Sequence, residues 1–306
     1  MPQRLQRRSF LRTAGLIGST ALWPWPASAI AGPSTPKKNA AGGFPYANKL
    51  GWQIGVAQYV FRRFALYETL PKLQKLGVRY IEPAFFLKLD SKQPALRVNP
   101  SLSQAQRRQL AKQLADHGIC MDSYYTNLTN DAKAARDVFE FAKQMGVKTL
   151  VSEPPLDAFD MLEPLCNQYA IDLAIHNHPK PRSKYWNPDT VLKVCQGRSK
   201  RIGACCDVGH WARTGLDVVA ELKKLQGRII EVHLKDIVEI GNPTARDVPL
   251  GRGNANIGGA LRELHRQGFR GLLVVENEYD SPKLMQDVAE CCQFVEKTAQ
   301  AICAAR

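Results

Sequence analysis

The sequence has no apolar run of about 20 residues, the length that an α-helix needs to cross a bilayer, so it predicts no transmembrane helix. Its eight cysteines include no Cys-x2-Cys pair, which excludes the usual ligand spacing of a structural zinc site. The short glycine motif Gly251-Arg-Gly253 does not form a P-loop, so no phosphate site is predicted there. Acidic residues are scarce, 28 against 42 lysines and arginines, and the net charge of +14 favours anionic partners without indicating a fold.

The first 29 residues have the features of an export signal. Two arginines, Arg7 and Arg8, precede a mildly apolar stretch at residues 13–22, and Ala27-Ser28-Ala29 supplies small residues for cleavage. This pattern predicts a twin-arginine signal peptide over residues 1–29, and hence a periplasmic or otherwise exported protein with no membrane attachment after cleavage. Loss of these residues removes four arginines and no acidic residue, which lowers the net charge from +14 to +10. Residues 30–49 are rich in small residues, Pro and Lys and predict a flexible linker.

From residue 50 to residue 306, short apolar segments alternate with amphipathic helical segments. Six of the helical segments end in a glycine, which tolerates the left-handed conformation that closes a helix; these are Gly77, Gly118, Gly146, Gly197, Gly227 and Gly268. Eight apolar segments are predicted as strands, at 52–58, 80–82, 119–122, 149–153, 173–178, 201–207, 229–233 and 272–276. Strand–helix alternation repeated eight times predicts one α/β domain, a single (β/α)8 TIM barrel.

The even number of cysteines in an exported chain raises the question of disulfides. Cys120, Cys205 and Cys206 fall in predicted interior strands, where a thiol acts as a small hydrophobic side chain. Cysteines that are adjacent in sequence bridge only with strain. Bridging is left open for the remaining five, which are Cys166, Cys195, Cys291, Cys292 and Cys303.

Four of the predicted strands end in a side chain that can bind a metal ion, namely Glu153, Asp207, His233 and Glu276. In a parallel barrel the carboxyl ends of the strands open into the active-site mouth, so these four side chains are expected to converge. Two glutamates, one aspartate and one histidine form a suitable ligand set for one divalent cation. We expect Mn²⁺, with Mg²⁺, Co²⁺ and Zn²⁺ as alternatives.

Other polar residues near the same strand ends are candidate substrate contacts. His176 and His178 follow the apolar part of the fifth strand, and His210 lies three residues beyond the end of the sixth. Glu82 ends the second strand and is a further candidate, whereas Glu153, which precedes Pro154-Pro155, has the alternative of a solvated loop carboxylate. We expect His178 and His210 to orient substrate hydroxyl groups.

Two further candidates have a structural alternative. Lys235 shares the two-residue parity of His233 and so faces the barrel interior, where it either contacts substrate or pairs with a carboxylate. Trp186 lies in a predicted loop and either forms an apolar wall for one face of a sugar or takes part in local packing.

These motifs resemble the xylose isomerase-like TIM-barrel superfamily, which includes sugar isomerases, epimerases and family-two apurinic endonucleases. The residues that carry the resemblance are Glu153, Asp207-Val-Gly-His210, Val232-His233-Leu-Lys-Asp236 and Glu276. Further stretches, at 174–179, 185–189, 203–210 and 247–251, resemble a branch named for sugar phosphate isomerases and epimerases. Many relatives take a metal-binding glutamate from the fifth strand. This chain has His176 and His178 there, so either histidine can replace or supplement Glu153.

The resemblance implies a metal-dependent sugar isomerase or epimerase. Asp207 and His233 are then metal ligands only, whereas Glu153 and Glu276 are ligands that also serve as the acid and base. A cation at this site polarises a sugar carbonyl and stabilises the enediolate, so that one glutamate removes the neighbouring proton and a second acid returns it. Because phosphorylated sugars are mostly confined to the cytoplasm, export implies an unphosphorylated keto sugar or glycoside as the small-molecule partner.

Three alternatives stay open at this point. A lyase or hydratase acting on 3-keto glycosides begins with the same proton abstraction and continues by elimination or hydration. An apurinic-endonuclease-like nuclease resembles this barrel but has additional histidines on strands two and three. These strands end here in Glu82-Pro-Ala84 and Asp122-Ser-Tyr124, so no nucleic-acid partner is expected. The third alternative is a non-catalytic sugar-binding barrel, and assembly into a homo-oligomer is also left open.

Overall fold

The computed structural model describes residues 43–305, so the predicted signal peptide and most of the predicted linker lie outside the described residues. Eight parallel strands form a barrel: β1 (Trp52–Ala57), β2 (Tyr80–Glu82), β5 (Ser123–Tyr125), β6 (Thr149–Ser152), β7 (Asp172–Ile175), β8 (Ile202–Asp207), β9 (Ile229–Leu234) and β12 (Gly271–Val275). Two short antiparallel pairs lie in loops: β3 (Lys88–Asp90) with β4 (Gln93–Arg97), and β10 (Asp236–Ile237) with β11 (Asp247–Val248).

One helix precedes the first strand, and the other helices lie between or after the barrel strands along the chain. In chain order the helices are α1 (Pro45–Leu50), α2 (Leu66–Lys75), α3 (Gln104–Asp116), α4 (Ala132–Met145), α5 (Phe159–Tyr169), α6 (Pro188–Cys195), α7 (Val208–Thr214), α8 (Val218–Lys224), α9 (Ile257–Arg266) and α10 (Leu284–Ala304). Short 3-10 helices lie at Gln58–Phe61, Leu156–Ala158 and Lys184–Trp186. Among the described residues, no helix is long and apolar enough to cross a membrane.

Neighbouring strands are hydrogen-bonded in the order β2-β1-β12-β9-β8-β7-β6-β5. The two ends of this sheet meet through isolated bridges between Tyr80 and Cys120 and between Ala84 and Tyr125, which nearly close the barrel. The predicted single (β/α)8 barrel is therefore confirmed. The register places His233 of β9 beside Asp207 of β8, so two candidate ligands are neighbours across adjacent strands.

Strand β8 shows why the apolar segments form buried strands. All six of its residues are buried, as expected for a parallel strand covered on both faces. A Cβ at Gly203 would overlap the backbone carbonyl oxygen of Arg228, so the chain before β9 approaches β8 closely only because position 203 has no side chain. This close approach helps to set the position of Asp207 at the end of the same strand.

The third barrel strand lies later in the sequence than predicted. The prediction placed it at residues 119–122, but the strand paired with β6 is β5, Ser123–Tyr125. The apolar residues Ile119 and Met121 are buried in the core just before the strand begins. The interior residue of this strand, Ser123, is polar, and its hydroxyl group contacts two buried carboxylates. A search for apolar segments therefore does not find the strand.

The folded domain begins before the predicted boundary at residue 50. Helix α1 covers the last residues of the predicted linker, and Ala47 within it is fully buried. The backbone N–H groups of Tyr46 and Ala47 each donate a 2.9 Å hydrogen bond to the Glu296 carboxylate on α10. A carboxylate at a helix N-terminus satisfies unpaired N–H groups and the helix dipole, so this contact ties α1 to the barrel.

All eight cysteines are free thiols, so none of the five candidates for bridging forms a disulfide. Six of the eight are buried, namely Cys166, Cys195, Cys205, Cys206, Cys291 and Cys292. Cys120 is partly exposed and precedes β5, whereas it was predicted to lie within an interior strand.

Candidate active site

Four side chains meet at the carboxyl ends of four neighbouring strands: His176 after β7, Asp207 at the end of β8, His233 on β9 and Glu276 after β12. One ligand atom from each lies within 4.8 Å of the others, and all four residues are buried. We call these four residues the ligand cluster. Three of them, Asp207, His233 and Glu276, belong to the predicted ligand set, and His176 was predicted as a substrate contact that could replace or supplement a ligand.

Glu153, the fourth predicted ligand, lies beside the ligand cluster. Its Oε1 is 3.3 Å from Nδ1 of His176 and also contacts Nδ1 of His178, while its Oε2 accepts a hydrogen bond from the Ser183 hydroxyl group. Burial would raise the pKa of Glu153, but the hydrogen bonds with the two histidines outweigh burial and hold the pKa below its usual value. The carboxylate therefore stays ionised and is oriented by three partners.

His176 has one ring nitrogen that is placed to bind a cation in the ligand cluster. Its Nε2 atom is buried, has no hydrogen-bond partner among the described residues, and lies 3.6 Å from Oδ2 of Asp207. Buried polar atoms in proteins are nearly always paired, so an unpaired imidazole nitrogen facing a buried carboxylate is consistent with a metal position. Two histidines and two carboxylates form a donor set that suits a first-row divalent ion.

His176 also links metal uptake to protons. Burial would lower the pKa of His176, but the nearby carboxylates of Asp207 and Glu153 outweigh burial and raise the pKa to about 9. A metal-ligating imidazole is neutral, so uptake of a cation by the ligand cluster releases the proton that this histidine otherwise holds.

Lys235 lies next to the ligand cluster and is completely buried. Its Nζ is 2.9 Å from Oδ2 of Asp207, 3.4 Å from Oε2 of Glu276 and 2.9 Å from Oε1 of Glu278. Burial would lower the pKa of this lysine, but the charges of the surrounding carboxylates hold it well above its usual value. Lys235 thus faces the barrel interior as predicted, and it pairs with carboxylates, the second of the two roles considered for it.

A second ion-pair group holds His210. Nη1 of Arg213 lies 3.1 Å from Nδ1 of His210 and donates to Oε2 of Glu278 at 2.8 Å. Nη2 of the same arginine donates to Asp247 of β11, and the other carboxylate oxygen of Asp247 accepts from the backbone N–H of Glu278 at 2.6 Å. These contacts fix the rim of the site between Lys235 and solvent. Arg213 was not predicted from the sequence, where the available signal was its position one helical turn after His210.

Burial lowers the pKa of His210 well below its usual value, and the neighbouring Lys235 charge acts in the same direction against the opposing effect of Asp207. The imidazole is therefore neutral at physiological pH. Its Nε2 lies 3.2 Å from Nζ of Lys235, so the ring stands between two cationic groups, the lysine and Arg213.

Beside the ligand cluster, the barrel interior contains two buried glutamates, Glu82 and Glu231. Oγ of Ser123 lies 2.7 Å from Oε2 of Glu82 and 2.9 Å from Oε1 of Glu231, and Nε2 of His233 lies 3.2 Å from Oε1 of Glu82. Burial and the nearby Glu82 charge raise the pKa of Glu231 to about 8. Of the two glutamates, Glu231 is thus the one in which burial favours the protonated form, and its Oε1 lies 3.5 Å from Nε2 of His233.

The glycine of the Asp207-Val-Gly-His210 motif, Gly209, allows close packing beside Lys235. A Cβ at this position would lie 2.5 Å from Cβ and 2.8 Å from the backbone oxygen of Lys235. Helix α7 therefore packs directly against the end of β9 because residue 209 has no side chain. The same packing places His210 beside the Lys235 ammonium group.

We expect Gly209→Ala to destabilise the protein by about 1–3 kcal/mol, because the added methyl group forces α7 away from β9. Urea unfolding measures this change, and activity should fall with it as His210 moves. Gly258→Ala is the matched control, since the nearest atom to its Cβ would be a flexible arginine nitrogen at 3.5 Å. Alanine is the better helix former, so this control should be neutral or slightly stabilising. Equal effects of the two substitutions would contradict the packing argument.

A cavity of about 220 Å³ opens above the ligand cluster. Its polar wall includes Glu82, His176, His178, Glu276 and Glu278, and its aromatic wall includes Tyr59, Phe86 and Tyr125. The predicted substrate contact Trp186 does not line this cavity, since its ring packs against Nζ of Lys180 at 5.2 Å. The aromatic wall thus comes from the 3-10 helix after β1, the loop after β2 and the last residue of β5, and Trp186 has the local packing role.

The glycine motif at residues 251–253 binds a carboxylate of the protein itself. Oδ2 of Asp236 accepts hydrogen bonds from the backbone N–H groups of Gly251 and Gly253, at 2.9 Å and 3.0 Å. Its Oδ1 accepts from the N–H groups of Ile237 and Ala255, both at 3.0 Å. The buried Asp236 carboxylate thus uses the amides of this loop, in agreement with the expectation that the motif is not a phosphate site.

Curated proteins with similar sequences match only parts of this chain. The protein named as L-ribulose-5-phosphate 3-epimerase SgbU of Escherichia coli is 38% identical over 73 residues, which cover 23% of this chain and 26% of that protein. The rhizopine catabolism protein MocC of Rhizobium meliloti is 29% identical over 127 residues, covering 37% of this chain and 38% of that protein. The matched regions thus span well under half the length of these relatives.

Solved structures match over most of the chain. An uncharacterised protein from Parabacteroides distasonis is 31% identical, with a TM-score of 0.66, over 81% of this chain and 99% of that one. A D-tagatose 3-epimerase-like protein is 19% identical, with a TM-score of 0.65, over 83% and 99%. A xylose isomerase-like TIM barrel protein from Mycobacterium smegmatis, in complex with magnesium, is 15% identical, with a TM-score of 0.66, over 82% and 97%.

The family described as xylose isomerase-like TIM barrel matches residues 70–297, which is most of the barrel. This match agrees with the eight-stranded sheet and with the motifs at the ends of β8, β9 and β12. The chain therefore belongs to the xylose isomerase-like TIM barrel family.

Proposed function

We propose that the protein is a divalent-metal-dependent sugar isomerase or epimerase that acts on an unphosphorylated keto sugar. The observation that carries this proposal is the ligand cluster, in which buried donor atoms of two histidines and two carboxylates lie within 4.8 Å of one another. Membership of a family with relatives named as epimerases supports sugar as the substrate class. Of the ions considered, we propose Mn²⁺ as the resident cation.

The chain's own residues would supply the proton transfers. Oε2 of Glu276 lies 2.8 Å from Nδ1 of His233 and 3.4 Å from Nζ of Lys235, so its charge is held in place at the floor of the cavity. Glu153 is held on the other side of His176 by its own hydrogen bonds. A divalent cation in the ligand cluster supplies polarisation of the substrate carbonyl and makes the adjacent C–H acidic. One glutamate would then accept the proton from this carbon, and the other would return a proton. Return to the same carbon would invert its configuration, and return to the former carbonyl carbon would move the carbonyl along the chain.

His178 and His210 are proposed to orient substrate hydroxyl groups. Their rings stack with centroids 5.0 Å apart. The His178 ring is held by Glu153, and the His210 ring is held between Arg213 and Lys235. The aromatic wall formed by Tyr59, Phe86 and Tyr125 faces the polar wall and would pack against the apolar face of the sugar. Such positioning lowers the entropic part of the reaction barrier.

An unphosphorylated substrate is proposed on two grounds. The twin-arginine signal predicted for residues 1–29 would place the protein in the periplasm, away from most phosphorylated sugars. The glycine loop at residues 251–253, a candidate phosphate cradle by composition, donates its N–H groups to Asp236.

A nuclease is disfavoured because β2 ends in Glu82 and β5 in Tyr125, where the nuclease branch is expected to have histidines.

Metal removal tests this proposal directly. We expect chelator treatment and desalting to abolish epimerisation of free ketoses, measured by NMR of the product sugars, and we expect Mn²⁺ to restore it. Mg²⁺, Co²⁺ and Zn²⁺, added separately, rank the alternative ions. Full activity in the chelated protein, with metal content verified by elemental analysis, would overturn the proposed metal dependence.

A further inference from the structure

A second cavity, of about 320 Å³, adjoins the rim of the active site. The loop after β7 contributes Pro179 to Arg182, helix α7 contributes His210 and Arg213, and the loop between β10 and β11 contributes Pro243 and Thr244. Three prolines in this lining have fixed φ angles, which makes the wall stiff. We call this space the outer chamber, and the 220 Å³ cavity above the ligand cluster the inner chamber.

The two chambers are adjacent, because Arg182 and Glu278 line both of them. His210 lines the outer chamber while its Nε2 lies 3.6 Å from Oδ2 of Asp207 in the ligand cluster. A substrate whose reacting carbonyl lies in the inner chamber can therefore extend past Arg182 and Glu278. The space beyond them is larger than the inner chamber itself.

The charge of the outer chamber is unbalanced. The Glu278 carboxylate is already paired with Arg213 at 2.8 Å and with Lys235 at 2.9 Å, and Arg213 is paired with Asp247 as well. Two exposed cations of the β7 loop, Lys180 and Arg182, form no ion pair within residues 43–305. Nζ of Lys180 lies over the Trp186 ring, and the charge of Arg182 acts on the neighbouring His178, whose pKa it helps burial to lower.

We propose that the outer chamber is a substrate subsite for an anionic oxygen group, a carboxylate or a phosphate, on the part of the substrate remote from the reacting carbonyl. Arg182 is the residue that binds this group, because a guanidinium donates two parallel hydrogen bonds to such an anion. Lys180 contributes a second positive charge. This inference rests on the proposed sugar chemistry and narrows the substrate to acidic glycosides, with the carboxylate form expected if the protein is exported.

Calorimetric titration tests the subsite without requiring turnover. The probes are cellobiose, cellobiouronic acid and cellobiose 6-phosphate, each titrated into the metal-loaded protein at low ionic strength. We expect at least one acidic disaccharide to bind about tenfold more tightly than cellobiose, as for one charged hydrogen-bonded contact. This preference should shrink as salt is added, because the cations of the outer chamber are exposed.

Arg182→Gln is expected to bring the affinity ratio of acidic to neutral disaccharide close to one. Arg108→Gln is the matched control, an exposed arginine on α3 outside both chambers, and should leave the ratio unchanged. Preference for the uronic acid identifies a carboxylate as the natural group. Preference for the phosphate ester identifies a phosphate and contradicts the unphosphorylated substrate proposed above. Equal binding of all three probes, no binding of any, or an acidic preference that survives Arg182→Gln would overturn the subsite. Epimerisation of neutral ketoses, measured separately, would leave the proposed function standing in each of those cases.

Discussion

Glu276→Gln is expected to lower turnover of the keto-sugar substrate about 10³-fold, within the range that a positioned acid or base supplies. The substitution keeps the size of the side chain and its contact with His233, but it removes the charge that accepts a proton and binds the cation. The glutamine remains at the cavity floor, so the fold should be retained. Steady-state rates, compared at saturating metal and substrate, measure the effect.

The control for this substitution is Glu140→Gln on α4, an exposed glutamate far from the ligand cluster in the sequence and outside the inner chamber. It should leave both turnover and the unfolding midpoint unchanged. If Glu276→Gln retained more than about a tenth of the wild-type rate, Glu276 could not be the acid or base. A glutamine variant that failed to fold would be recognised by circular dichroism and replaced by Glu276→Asp.

Asp207→Asn is expected to weaken cation binding more than about 100-fold. Removing a residue that only hydrogen-bonds to a metal ligand weakens binding by up to about 100-fold, and loss of a ligand itself should cost more. Oδ1 of Asp207 accepts the N–H of His210 at 2.9 Å and so caps α7, and asparagine preserves such a cap. The negative charge beside His176 and Lys235 is lost, while the lysine keeps two other carboxylates. Titration calorimetry with Mn²⁺ measures the affinity, and activity should be lost in parallel.

Asp217→Asn is a closely matched control, because Asp217 is also an N-cap, with its side chain accepting from Ala220 N at 3.0 Å. It is exposed at the start of α8 and should change neither Mn²⁺ affinity nor rate. Wild-type Mn²⁺ affinity in Asp207→Asn would show that the cation binds elsewhere. In that case the ligand cluster would be an ion-pair network around Lys235.

The end of the barrel that carries the site was predictable from the sequence. Buried parallel strands give continuous apolar runs, so an Asp, His or Glu that ends such a run stands out, as Asp207, His233 and Glu276 do. Strand parity also predicted that Lys235 faces inward, and the structure confirms this direction. These features depend on residues close together in sequence, which is why pattern alone reveals them.

Features that depend on contacts between distant segments were not predictable. Whether His176 or Glu153 lies in the ligand cluster depends on the path of the chain after β6 and β7, and both carry suitable ligand atoms. Arg213 gains its importance from Asp247 and Glu278, which lie 34 and 65 residues away. The third strand was misplaced because its interior residue is polar and is stabilised by glutamates of two other strands.

NMR in D₂O is the measurement that tests the central claim most directly. The Mn²⁺-loaded protein would be offered unphosphorylated ketoses and 3-keto glucosides in parallel, and the metal would be removed with chelator before spectra are taken. We predict deuterium at the carbon next to the carbonyl of a ketose, together with a new stereoisomer or a shifted carbonyl. Release of the aglycone, or an unsaturated keto sugar, without any isomer would contradict the isomerase and establish a lyase. No deuterium in any substrate would contradict proton abstraction itself, and with it the proposed role of the two glutamates.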